Sequence, residues 1–101
     1  MRFGLEENDI LKLQKVFAKY IQIESVVIYG SRAKGNYKNG SDIDVTLHGQ
    51  DLNLSIINAI ETEIDDLLLP YLFDISIYNQ ISNPDLIAHI KRVGQVFYHR
   101  N

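Results

Sequence analysis

A chain of 101 residues that is 46% apolar and 23% charged has the size and composition of one small globular domain, not of a disordered segment. The lack of cysteine excludes disulfides, thiolate metal sites and a catalytic thiol, and a net charge of −3 argues against a broad nucleic-acid surface. No apolar run approaches the length of about 18 residues that a membrane span needs, and Met1–Glu7 lacks the hydrophobic region of a secretory leader, so a cytoplasmic protein with no membrane contact is expected.

In chain order, Glu6 to about Ile21 reads as an amphipathic helix. Ile10, Leu13, Phe17 and Tyr20 or Ile21 follow helical spacing, and Lys12, Lys15 and Lys19 fall on its solvated side. Gln22–Ser25 then leads into Val26–Tyr29, an apolar run closed by glycine and therefore a buried strand. Gly30 allows a tight turn and lets a ligand approach where a Cβ would otherwise stand. Ser31 is expected to cap a short helix, leaving backbone N–H groups to face an anion. Arg32–Ser41 combines glycine with cations, and on composition alone it is a surface loop. Alternation then resumes. Asp42 and Asp44 stand two apart, so on a strand both carboxylates leave one face about 6–7 Å apart. Ile43, Val45 and Leu47 point the other way, into the core. His48 shares the carboxylate face but sits at a strand end, where such residues are common.

After Gly49, Leu52–Leu69 reads as a second helix. Ile57, Ile60, Ile64, Leu67 and Leu68 form its buried stripe, Asp51 or Asn53 its cap, and Glu61, Glu63, Asp65 and Asp66 its outer face. Pro70 ends it. Tyr71–Tyr78 alternates as a strand, with Phe73, Ile75 and Ile77 on one side and Leu72, Asp74, Ser76 and Tyr78 on the other. A lone carboxylate is costly to bury, so Asp74 is expected to face solvent or a cation. Asn83-Pro84-Asp85 carries strong helix-start signals, a capping asparagine followed by proline and an acid. Leu86, Ile87, Ile90 and Val93 should turn inward, with His89 on the surface and Gly94 at the end. Gln95–Tyr98 is a short last strand. The order helix–strand–loop–strand–helix–strand–helix–strand predicts a single α/β domain over residues 1–101, with about four strands. Helices should cover one sheet face and leave the carboxylate face open.

Gly30-Ser31, a gap of ten residues, and then Asp42-Ile43-Asp44-Val45 resemble the signature of the nucleotidyltransferase superfamily that includes DNA polymerase beta and kanamycin nucleotidyltransferase. The fuller run GSRAKGNYKNGSDIDV, in so short a chain, is similar to the minimal nucleotidyltransferase (MNT) domains, known as MntA-type antitoxins paired with HEPN-domain toxins. The resemblance spans nearly the whole chain. It implies a mixed sheet and a catalytic, metal-binding set of Asp42, Asp44 and Asp74, where Asp74 takes the acidic position on a later strand. It also implies that Gly30 and Ser31 seat the β- and γ-phosphates of ATP, with Arg32 and Lys34, and Lys38 behind them, meeting triphosphate oxygens. Three converging acids repel one another, and two Mg²⁺ ions relieve that repulsion while clamping the attacking and leaving oxygens. The activity so implied is transfer of AMP from ATP to a hydroxyl, a tyrosine by resemblance, of a partner HEPN-type toxin. A hetero-oligomer with that partner follows, and direct nucleic-acid binding does not. Two other outcomes remain open on the sequence: a non-catalytic antitoxin that neutralises by binding, and nucleotidyl transfer to a small molecule such as an aminoglycoside.

Overall fold

The computed structural model describes all residues from 1 to 101. Its elements run α1 (Glu7–Ala18), β1 (Ser25–Tyr29), α2 (Gly30–Lys34), β2 (Ile43–His48), α3 (Leu54–Asp66), β3 (Phe73–Ile77), a 3-10 turn at Tyr78–Gln80, α4 (Pro84–Val93) and β4 (Gln95–His99). The strands form one sheet in the order β3-β2-β1-β4. β1 is antiparallel to both β2 and β4, whereas β2 and β3 are parallel, so the sheet is mixed. A parallel pair needs a crossover connection, and α3 supplies it.

The core lies between one sheet face and the helices α1 and α3. Val26 and Ile28 of β1 and Ile43, Val45 and Leu47 of β2 meet Ile10, Leu13 and Phe17 of α1 and Ile57, Ile60 and Ile64 of α3, all buried in one cluster. The alternation in β2 therefore sends its apolar residues inward as read, and leaves Asp44 on the far face. A second tie joins these helices near their ends, where Lys19 Nζ lies 2.6 Å from Glu63 and the Tyr20 hydroxyl donates to the same carboxylate.

α4 packs differently from α1 and α3. A Cβ on Gly94 would press against the Val27 side chain, which alternates with core-facing Val26 and Ile28 and so lies on the carboxylate face. Ile90 is buried yet stands outside the main core cluster, and His89 meets Tyr29 edge-on. α4 must carry the chain from β3, at one edge, back to β4 at the other, and it crosses that face over β1. On the β2–β3 side of that face Asp74 is exposed and Asp44 half-buried, while Thr46 is fully buried.

The expected caps form at both longer helices that begin with asparagine. Asn53 Oδ1 accepts the Ile56 N–H at 3.0 Å, and Asn83 Oδ1 accepts the Asp85 N–H at 2.9 Å with Pro84 opening the helix. Both predicted C-terminal ends overran. α1 stops at Ala18, leaving Ile21 78% exposed, and α3 stops at Asp66. Leu68 adopts φ +56° and is 88% exposed, so it does not belong to the buried stripe of α3. No helix is long and apolar enough to cross a membrane.

Candidate active site

The site is built on one rung of the sheet. Tyr29 on β1 pairs in register with Asp44 on β2, and Asp44 with Asp74 on β3. Register partners on neighbouring strands point to the same face about 4.8 Å apart, so the phenol and two carboxylates stand in a row. Asp42 lies just before β2, exposed, two residues from Asp44. Burial pushes the half-buried Asp44 carboxyl above its ordinary pKa, the charges of Asp74 and Asp42 add to the rise, and His89 opposes it. Asp44 thus lies close enough to both other acids to sense their charge. Burial likewise raises the Tyr29 hydroxyl; the Ser76 hydroxyl opposes this, and the charges of Asp74 and Asp44 add to it.

Asp44 also rests directly on the turn after β1. Gly30 has φ +73°, and a Cβ there would collide with Asp44 Oδ2. Only glycine meets both demands, a left-handed backbone and contact with the carboxylate. Ser31 is not the helix cap that its sequence position suggests. Tyr29, extended at φ −140°, is the residue before the helix, which puts Ser31 in its first turn with no side-chain cap above it. Its carbonyl accepts the Gly35 and Asn36 N–H groups at 2.9 and 3.2 Å, and its half-exposed side chain stays beside Gly30. No three Asp, Glu or His side chains close into a metal cage by themselves. A sparse set of hard oxygen donors, with a bare glycine backbone alongside, suits Mg²⁺ that draws its remaining ligands from phosphate oxygens and water.

The model of the polymerase beta nucleotidyltransferase family matches residues 11–101. The chain belongs to that family. No curated protein matches it. Among solved structures it is similar to a toxin–antitoxin with AMP-PNP, at a TM-score of 0.72 and 19% identity over 96% of this chain and 76% of that one. It is also similar to the complex of a tri-AMPylated Shewanella oneidensis HEPN toxin with MNT antitoxin, at 0.70 and 13% over 95% and 74%. A third is the MntA–HepT toxin–antitoxin, at 0.68 and 14% over 94% and 74%. At these identities the likeness is one of fold.

In this member of the polymerase beta nucleotidyltransferase family, one of the cations read from the loop is buried. Arg32, expected at the triphosphate, is only 3% exposed and points into the scaffold. Its Nε and Nη2 donate to the Ser41 carbonyl at 3.0 and 2.9 Å, its Nη1 donates to the Phe3 carbonyl at 2.9 Å, and its guanidinium lies 5.3 Å from the ring centres of both Tyr37 and Tyr71. Buried, with three of its five N–H donors given to backbone carbonyls, Arg32 leaves the phosphate-binding set and becomes the tie that holds the residue before Asp42. Lys34, at the last turn of α2, and Lys38 are exposed and unpaired. His48 lies at the opposite end of β2, stacked on Tyr78 with ring centres 4.4 Å apart, and burial lowers its pKa against the pull of Glu24. It is not part of the acid row.

Two residues of the site escaped the reading of the sequence. Tyr29 reads in the sequence only as the end of a strand, although its alternation with core-facing Ile28 sends it to the carboxylate face. His89 reads in the sequence as a surface residue. The structure instead sets its ring edge-on to Tyr29, with centres 6.1 Å apart and planes at 81°. Its signal was its place in α4, three residues after inward Leu86 and beside buried Ile90.

Proposed function

We propose that the chain is a metal-dependent nucleotidyltransferase that moves AMP from ATP onto a hydroxyl, a tyrosine, of a partner HEPN-type toxin, and so acts as its antitoxin in a hetero-oligomer. The observation that carries this reading is the Tyr29–Asp44–Asp74 rung with Asp44 seated on Gly30, in a member of the polymerase beta nucleotidyltransferase family. The toxin–antitoxin complexes that share the fold, one with AMP-PNP and one with an AMPylated HEPN toxin, support the choice of nucleotide and partner.

Asp42 and Asp44 are the residues to hold two Mg²⁺ ions, with Asp74 contributing to one. Bound there, Mg²⁺ supplies neutralisation of phosphate charge and lowers the pKa of a coordinated hydroxyl. Gly30 and Ser31 seat the β- and γ-phosphates, and exposed Lys34 approaches them from the end of α2. Asp74 is exposed on an edge strand, so it can meet an incoming hydroxyl and take its proton. The acceptor oxygen forms its bond to the α-phosphorus while the bond to the bridging oxygen breaks, and pyrophosphate leaves. The two largest recesses of the molecule lie away from the acids, one around Glu24, His48 and Arg100 and the other between α1 and β4. The acids therefore face an open surface, which fits an acceptor that brings its own walls and is a protein.

Thermal shift tests the metal requirement. ATP with Mg²⁺ should raise the melting temperature clearly, because ligand that binds only the folded chain stabilises it. ATP with EDTA should do far less, since phosphates and carboxylates then repel. Equal shifts under the two conditions would remove the metal from this account.

A further inference from the structure

We infer that His89 of α4 contacts the phosphate chain of the bound nucleotide, with Tyr29 as the seat that holds its ring in place. The inference rests on the nucleotide reading above and adds to it a residue outside the Gly-Ser turn and the three acids.

The row of side chains across the sheet does not end at β1. It runs Asp74, Asp44, Tyr29, and continues to His89 on the helix above, through the edge-on contact with Tyr29. That contact is fixed from both sides. Tyr29 is 6% exposed, so its ring is a buried platform and not itself a ligand group. Ile90, the next residue after His89, is 4% exposed and sets the rotation of α4, while Gly94 brings the end of the helix against Val27. α4 also packs against α2, the helix that opens with Gly30 and Ser31. His89 is thereby held beside the turn expected to seat the β- and γ-phosphates, with its ring half-exposed.

The donor inventory makes this placement matter. A triphosphate needs hydrogen-bond donors beyond whatever its metals neutralise. Arg32 is committed to the Ser41 and Phe3 carbonyls. Lys34 and Lys38 are exposed on a short helix and a loop, and Lys91 and Arg92 point to solvent from the last turn of α4. Of the two histidines on this face, His48 is stacked on Tyr78 at the far end of β2, and His89 is the ring N–H donor held beside the Tyr29–Asp44 rung. An imidazole N–H can donate to a phosphate oxygen, and bonds to charged acceptors are the stronger kind.

The test is calorimetric titration of ATP, ADP and AMP, each with Mg²⁺, into the full chain as wild type, His89→Ala and His89→Gln. For His89→Ala we expect about a tenfold loss of ATP affinity, as one charge-assisted bond allows. AMP affinity should hardly change, and the melting temperature without nucleotide should stay close to wild type. His89→Gln keeps an N–H donor and should recover part of the loss. A purely structural role would lower the melting temperature and weaken all three nucleotides together, which would overturn the inference. So would ATP affinity equal to wild type in both variants. A wild-type chain that binds no ATP would instead overturn the nucleotide reading itself, and this inference with it.

Discussion

Arg32 shows how a single side chain can serve a site without touching it. Its fork holds the Ser41 carbonyl through two N–H groups and the Phe3 carbonyl through a third, between two tyrosine rings. Ser41 precedes Asp42, so this clamp fixes where the acidic strand begins. Lysine offers a point charge in place of a planar fork. Arg32→Lys should therefore lose about 1.5–3 kcal/mol of stability, read as a lower urea midpoint at unchanged slope. An unchanged midpoint would mean that the clamp carries no load. The contrast with the acids explains what was legible at this scale. Asp42 and Asp44 could be placed on one face because strand alternation is local, whereas Asp74 joined them only through the resemblance. Arg32 could not, because one of its partners lies 29 residues away and nothing in the loop's composition separates a phosphate-binding arginine from a carbonyl-binding one.

At the scale of elements, packing settled what periodicity began. The leucines after Asp66 continue an apolar run, and the helix was expected to follow them. The chain instead turns at Leu68 into a left-handed conformation ahead of Pro70. The docking of α4 across the carboxylate face was illegible for a similar reason, since its stripe of Leu86, Ile87, Ile90 and Val93 says that one side is buried, not against which layer. The tie between α1 and α3 makes a pH prediction. The bond from Lys19, and then that from the Tyr20 hydroxyl, hold the Glu63 carboxyl below its ordinary range. Burial and the same Glu63 bond push Tyr20 up to about 12. A lowered folded-state pKa gives stability that is present above the unfolded value and lost as pH falls through the folded one. Glu63→Gln should thus melt slightly below wild type at pH 7, less so in added salt, and the two curves should converge well below about pH 4. A gap that persists in acid would assign the tie to shape and not to charge.

For the molecule as a whole, the sheet order and the parallel β2–β3 pair were not readable from the pattern of residues. The mixed sheet was expected from the resemblance alone, and the structure has it. The resulting architecture leaves Asp42, Asp44 and Asp74 on the face that α4 crosses over β1, with the two largest recesses elsewhere. An enzyme so built needs its acceptor to approach as a surface, and a stoichiometric binder would not need the acids at all. Asp44→Asn separates the two, because it keeps the shape over Gly30 while removing the charge. The decisive measurement is transfer of label from α-labelled ATP, with Mg²⁺, to a purified HEPN-type toxin by wild type and by Asp44→Asn. The account predicts label on the toxin with wild type at catalytic amounts, and a rate at least about a thousandfold lower with the variant, or roughly 4 kcal/mol of transition-state stabilisation. Label transfer that survives Asp44→Asn, or full neutralisation of the toxin by wild type with no label on it, would contradict it.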